Sequence, residues 1–482
     1  MLYYPVLTTY FTQDHFLHFK VSLTDGSLKQ FLDLFGFHSF GERGLAYYRP
    51  IFRDVLFNIL YNSFGLNHIP YRVLYFVIHF INIYLVYILI QKLYQNKQIS
   101  FFVSFFFGIS SANVGILYWG IEILGATIFI ISTLILFIKF LESHKNKFLI
   151  FSFLTFLLAL GSHELAIVTP ILLVGLIFVY LPSKSVLINI FRLLPFFLIL
   201  IPYVYLDITQ TGYSSKDLQY SPIFNLKTTL NTLTWYAGWS LGLPEMLVDF
   251  VLPGLKLDPN LMRYWGNYFL IIFSTFVISL ISLGILTIYL LFVKRYLFFT
   301  KEFLFLLFWF PLSLLPVLFF PLHKFTYYLS ASLPAFWRSI GFIIFNSYWH
   351  LKKEFPNLAL SILIILFLSI FLQNITSILL GHSTYWAAQR GKIAEKLITH
   401  MLSEYPKLPK GSVVYFTNDP FYPYVAKDWG GSSKQASIIL SGSNALQLIY
   451  KDPTLKVFYE DLGVLPKNLS KDMVYTIVAK IY

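Results

Sequence analysis

Residues 120–140 read GIEILGATIFIISTLILFIKF, and between Glu122 and Lys139 the run carries no charge. About 20 apolar residues are what an α-helix needs to cross the hydrocarbon core of a bilayer. A helix also satisfies its own backbone groups there. Working outward, comparable stretches recur near 70–91, 98–118, 147–160, 165–181, 186–206, 266–293, 303–320, 328–349 and 357–379. With 120–140 they make ten expected spans. Residues 1–11 are apolar but too short to span, and read as the tail of a longer first helix.

Composition agrees. Of 482 residues 57% are apolar and 12% charged, with 52 Phe, 34 Tyr and a mean hydropathy of +0.67. A soluble domain has about a quarter of its residues charged, so this much apolar surface calls for a bilayer rather than a core of ordinary shape. The fold class expected is an all-α polytopic membrane bundle of about ten or eleven transmembrane helices, followed by a small C-terminal α/β domain. No Cys is present, which removes thiolate chemistry and Cys-based metal sites.

The net charge of +13 is topological rather than a nucleic-acid footprint. Lys92, Lys97, Lys139, Lys145, Lys147, Lys184, Arg192, Lys294, Arg295, Lys301, Lys352 and Lys353 all lie in or beside alternate connections, against Glu142, Glu302 and Glu354. Basic loops lie on the cytoplasmic side. Residues 11–69, 207–265 and 380–482 then share the extracytoplasmic face. The expected division is 1–380, a membrane domain with outer loops 11–69 and 207–265, and 381–482, a small domain outside.

Within the first loop, 49–64 reads as a helix that Pro50 opens and Gly65 ends. Arg49, Arg53, Asp54, Asn58 and Asn62 form a polar stripe on it, which places the helix in the membrane interface. A stretch such as 228–251 reads as a re-entrant or a surface helix. In the C-terminal domain 382–403 is an amphipathic helix, strands are expected at 413–416, 436–440, 456–459 and 473–478, and a helix at 444–450. That domain reads as an accessory or acceptor-facing module.

Ionisable groups near a bilayer are functional candidates by default. Asp14, in Phe11-Thr12-Gln13-Asp14-His15-Phe16, is either a catalytic acid or an exposed loop acid. Glu122, after Tyr118-Trp119-Gly120, is equally well explained by free N–H groups at a helix start. Span 147–160 is short at about 1.5 Å per residue, so Gly161-Ser162-His163-Glu164 is expected below the membrane surface. A carboxylate there needs a partner or a raised pKa. His323, Lys324, Tyr327 and Tyr328 form the connection between the eighth and ninth spans. Lys324 suits a lipid phosphate, or snorkels to headgroups. Arg49 and Arg53 have the same two readings. His79 lies mid-span and is expected to bond a neighbouring helix. Asp14 and His15 are a weak divalent-ion pair.

Together these positions resemble the GT-C class of membrane glycosyltransferases, most closely the protein O-mannosyltransferase and TMTC-like branch in its bacterial versions. The likeness rests on Gln13-Asp14-His15; on Tyr48-Arg49-Pro50 leading through Phe64-Gly65-Leu66-Asn67 and Pro70-Tyr71 to His79-Phe80-Ile81-Asn82; on Tyr118-Trp119 with Glu122; on Gly161–Glu164 with Val168-Thr169-Pro170; and on His323–Tyr328. It covers about residues 11–350. The chain departs from the family in carrying His15 beside Asp14 and His163 before Glu164.

The resemblance implies inverting transfer of a monosaccharide from a polyprenyl-phosphate donor to an acceptor hydroxyl on a protein, lipid or glycan. It implies no cofactor, with a divalent metal left open by Asp14 and His15. Asp14 would be the base, with Glu164 and Glu122 holding sugar hydroxyls or orienting the acceptor. Arg49, Lys324 and His323 would stabilise the departing phosphate, beside Arg53, His163, Tyr327 and Tyr328. Partners would be the lipid-linked donor, the acceptor and membrane lipids. The rival readings are a transporter or flippase of lipid-linked glycans, and a non-catalytic membrane scaffold. A transporter would show two hydropathy-matched halves, which this sequence lacks.

Overall fold

The computed structural model describes residues 2–211, 218–254, 256–422, 430–466, 469 and 471–481. The fold is 73% helical with a few small strands. Among the described residues five helices are long and apolar enough to cross a membrane: His68–Tyr94, Ile121–Ser143, Pro259–Phe299, Lys301–Leu318 and Pro356–Glu404. Two bent pairs raise the number to seven if each counts as one span: Lys97–Gly108 with Asn113–Trp119, bent by 56°, and Ser185–Arg192 with Leu194–Gln210, bent by 42°. The expectation of ten or eleven transmembrane helices is corrected accordingly. All ten segments contain helix, but Asn146–Leu160 and Glu164–Tyr180 are short. Leu333–Leu351 is a continuous helix, but Arg338, Asn346 and Ser347 break its apolar run.

Each bend has a local cause. Pro195 opens the second half of the 185–210 pair and contributes no N–H to its ladder. In the other pair the chain breaks at Ile109-Ser110-Ser111-Ala112, and the backbone groups it frees are taken up inside the bundle. Asn113 Nδ2 donates to Phe107 O at 2.6 Å, His79 Nε2 to Gly108 O at 3.1 Å and Tyr3 Oη to Ser110 O at 2.7 Å. The Ser111 N–H donates to Asn374 Oδ1 at 2.9 Å. His79 therefore bonds a neighbouring helix, as expected.

The chain falls into two compact units. The first comprises Met1–Tyr3, Phe37–Phe52 and Leu74–Ser383, and the second Tyr4–Gly36, Arg53–Val73 and Thr384–Tyr482. In the first, Ile121–Ser143 is central, with 78% of its apolar window buried, whereas Pro259–Phe299 has 22% buried and lies on the flank. The 207–265 region holds a helix at Leu226–Leu241, a short turn Leu247–Phe250 and a hairpin of Val251–Leu252 with Lys256–Leu257. Residues 212–217 and 255 of that region lie outside the described residues.

The second unit carries a three-stranded parallel sheet ordered Lys456–Tyr459, Val413–Thr417, Val474–Val478. Val413, Val414 and Phe416 are buried in its central strand, as a parallel strand covered on both faces requires. The expected strand at 436–440 is instead part of the helix Ser432–Ile439. A short apolar run does not by itself separate strand from helix, and here Ala436 and Ile439, three apart, bury one helical face.

The expected first-helix tail is irregular chain with one 3-10 turn, Tyr4–Val6. Helices also form at Asp14–Ser22, Leu28–Asp33 and Phe40–Arg43, so 11–69 is not an open loop. Pro50 and Gly65 do bound the next helical stretch, π-helical over Pro50–Val55 and α-helical over Leu56–Phe64. Its polar stripe is not turned to an interface. Arg53, Asp54 and Asn58 are buried, and the Asn58 amide donates to Ser22 O at 2.7 Å.

Candidate functional site

Arg49 stands immediately before the π-helical turn, and that turn is pinned by the Ile51 N–H, which donates to Gly161 O at 3.1 Å. The same backbone bond brings Arg49 beside the Gly161–Glu164 connection. Arg49 Nε lies 2.9 Å from Glu164 Oε2 and Nη2 2.5 Å from Oε1, a two-pronged ion pair. A guanidinium has five N–H donors. Two serve Glu164, and among the described residues the other three have no hydrogen-bond partner. The Arg49 Cζ also lies 5.2 Å from the centre of the Tyr47 ring.

Burial alone would raise the Glu164 pKa, but Arg49 and then His163 reverse this, and the carboxyl falls to about 2. Burial, reinforced by Arg49, depresses His163 to about 3, so its ring is neutral. His163 Nδ1 accepts the Leu165 N–H at 3.1 Å, which puts the ring proton on Nε2. The partner that the sequence demanded for Glu164 is thus Arg49.

Aromatic rings close around the pair. Tyr328 is buried, with its ring 6.2 Å from His163, 6.0 Å from His323 and 4.5 Å from Tyr327. Tyr220 lies 4.4 Å from His323. Glu122 is buried in the first turn of Ile121–Ser143, and its charge acts on Arg49. Glu122 thus opens its helix and also lies within electrostatic reach of Arg49.

Several neighbours escaped the sequence. Tyr203 is buried within electrostatic reach of Glu164 and Arg49, and its hydroxyl has no partner among the described residues. Asp207 Oδ1 accepts the Tyr48 N–H at 2.8 Å. Tyr203 sits in a stretch read only as a span, and Asp207 opens the outer loop that follows it. Glu245 Oε2 accepts from the Thr326 N–H at 2.7 Å and from Thr326 Oγ1 at 2.6 Å. This fastens the chain after Leu226–Leu241 to the turn that bears Tyr327 and Tyr328. Burial lifts Glu245 to about 7. Nothing in the local sequence Leu243-Pro244-Glu245-Met246 signals this, because the partner is 81 residues away.

The remaining candidates have partners of their own. Lys324 Nζ donates to Pro321 O of its own loop at 2.7 Å and faces Asp249, and burial lowers its pKa. Arg53 belongs to the second unit and pairs with its neighbour Asp54, Nε to Oδ1 at 3.0 Å and Nη2 to Oδ2 at 3.3 Å.

Asp14 also belongs to the second unit, where it opens helix Asp14–Ser22 with its side chain exposed. Crowding by protein raises its pKa, and Arg390 opposes the rise. His15 is buried, with Nδ1 3.0 Å from Thr12 O. The two side chains therefore differ in environment, one outside and one inside, and do not form a ready pair of metal ligands. Among the described residues no group of three or more His, Asp or Glu side chains is placed to hold a metal ion.

The chain matches no protein-family model, no curated protein and no solved structure. What the site can do therefore rests on its chemistry. It joins an ionised carboxylate, a guanidinium with spare donors and a second acid to several aromatic faces. Carboxylates accept from hydroxyls, guanidinium N–H groups bind hydroxyl or phosphate oxygens, and ring faces cover the apolar side of a sugar.

Proposed function

We propose that this chain is a multi-pass membrane glycosyltransferase of the GT-C type. It moves a monosaccharide from a polyprenyl-phosphate donor to an acceptor hydroxyl on the extracytoplasmic face, with inversion. The observation that carries this reading is the Arg49–Glu164 pair, whose guanidinium has three N–H donors unengaged among the described residues, near Glu122, His163 and Tyr328.

In the reaction, the acceptor oxygen attacks the anomeric carbon as the bond from that carbon to the phosphate oxygen breaks. The electron pair leaves with the polyprenyl phosphate, and a base takes the acceptor proton. Arg49 supports the charge that develops on the phosphate. Glu164, held ionised, and Glu122 accept hydrogen bonds from sugar hydroxyls. The resemblance assigns the role of base to Asp14, and its raised pKa brings its proton affinity nearer to the working pH than that of an ordinary Asp. The resemblance in motif order along residues 11–350 supports the class, and the basic connections support the assignment of faces.

The test is to incubate membranes containing the protein with a panel of polyprenyl-phosphate monosaccharides and follow donor consumption. Consumption of one donor in the wild type, lost in Glu164→Gln at equal expression, is the expected result. A panel left untouched by the wild type overturns the proposal.

A further inference from the structure

Asp14 is framed by residues of the C-terminal part of the chain. The Gln13 N–H donates to Ile439 O at 2.8 Å, and Thr12 Oγ1 to the same oxygen at 3.2 Å. Gln13 is held at φ 49°, ψ −122°, a backbone conformation that non-glycine residues rarely adopt. Below it, buried Arg72 donates to Thr9 O at 3.1 Å and Tyr10 O at 3.2 Å.

Helix Trp386–Glu404 comes still closer. A methyl group at Gly391 would stand 2.7 Å from Tyr10 O and 2.6 Å from the Thr9 side chain, so only glycine permits the approach. That approach places Arg390 where its charge acts on Asp14. The Arg390 guanidinium also lies 5.4 Å from the Trp386 ring centre, which restrains it. Among the described residues no hydrogen bond engages the side chain of Arg390 or of Asp14. The other charges nearby act elsewhere: Arg72 on His15 and His68, and Glu395 on Tyr10 and His68.

We propose that Arg390 is the positioning residue for Asp14: seated by Gly391, it keeps the Asp14 carboxylate ionised and leaves it open to receive a proton. The C-terminal domain is then part of the Asp14 site rather than an accessory. The consequence for catalysis rests on the reading of Asp14 as the base, but the charge relationship does not.

The test therefore reads Asp14 without turnover. Carbodiimide with an amine nucleophile labels protonated carboxyls, and the Asp14 peptide of the full-length protein is quantified by mass spectrometry from pH 4 to 8. In Arg390→Gln the pH of half-labelling should rise by about one unit or more relative to wild type, since a nearby opposite charge favours the ionised form by that order. Arg390→Lys, which keeps the charge, should follow wild type. Superimposable curves for wild type and Arg390→Gln overturn the proposal. Should Arg390→Gln fail to fold, the lysine variant decides: a wild-type curve supports the proposal and a curve raised by about one unit refutes it. If labelling shifts while donor consumption is absent in every variant, the charge relationship stands and the transferase reading falls.

Discussion

Arg49 grips Glu164 with two parallel hydrogen bonds, at 2.9 and 2.5 Å, and the two side chains are 19% and 20% exposed. Removing one member leaves the other charge partly buried and alone. Arg49→Met and Glu164→Gln should each lower stability by about 2 kcal/mol, below the range for fully buried pairs because water still reaches this one. The double variant should lose less than the sum of the two, as coupled neighbours do. Thermal unfolding in detergent, followed by tryptophan fluorescence, gives the cycle. Additive losses would show that the pair is not coupled.

Glu245 should make stability fall with rising pH. Its carboxyl titrates at about 7 in the folded protein against a reference value of 4.5, so the folded state keeps the proton that the unfolded chain releases. Its contribution is most favourable below pH 4.5 and declines as pH rises towards 7. Glu245→Gln cannot ionise. Its unfolding temperature relative to wild type should therefore climb across that window and level off above it. A difference independent of pH would contradict the assignment.

Gly125 is pressed against Phe52, three residues beyond Arg49. A methyl group there would overlap the Phe52 ring at 2.0 Å. Gly125→Ala should destabilise by about 1–3 kcal/mol, the usual range for overpacking. Adding Phe52→Leu should restore part of the loss, measured by the same thermal unfolding. Failure of the second change to help would mean that the ring moves aside without strain.

Asp14→Asn should abolish donor consumption while expression and membrane insertion persist. In the wild type the acid limb of the activity profile should lie above the usual carboxylate range, because a raised pKa delays ionisation of the base as pH increases. Full activity in the asparagine variant removes Asp14 from the mechanism.

Chelation should leave sugar transfer unchanged, as the resemblance to GT-C enzymes implies. Parallel assays with and without EDTA check this, and loss of activity restored by a divalent ion would return metal to the reaction.

Periodicity and composition made the helices legible, and Pro50 and Gly65 marked their helix to the residue. Spans were overcounted because Asn146–Leu160 and Glu164–Tyr180 are short and Leu333–Leu351 carries polar side chains, and because hydropathy does not see a bend. Residues 98–118 look like one continuous apolar run, yet Ile109–Ala112 breaks it, and side chains from Asn113 and from elsewhere in the bundle make the break tolerable. Arg49 and Glu164 were each legible as candidates, but their pairing was not, since 115 residues separate them. Tyr203 hid within an apolar run. Arg390 lay on the polar face of an amphipathic helix, where an arginine looks like ordinary solvation. The Arg53–Asp54 pairing shows the converse, a conspicuous cation already matched by its neighbour.

The break at 109–112 bears on how the protein is made. Two of the side chains that cover the carbonyls at Gly108 and Ser110, those of His79 and Tyr3, are synthesised before those carbonyls, so the ribosome delivers the caps ahead of the groups they cover. The Ser111 amide is different: its acceptor, Asn374, emerges 263 residues later. A nascent chain arrested before that point lacks the acceptor for the Ser111 amide, which makes the arrival of the helix from Pro356 the step that seals the early part of the bundle.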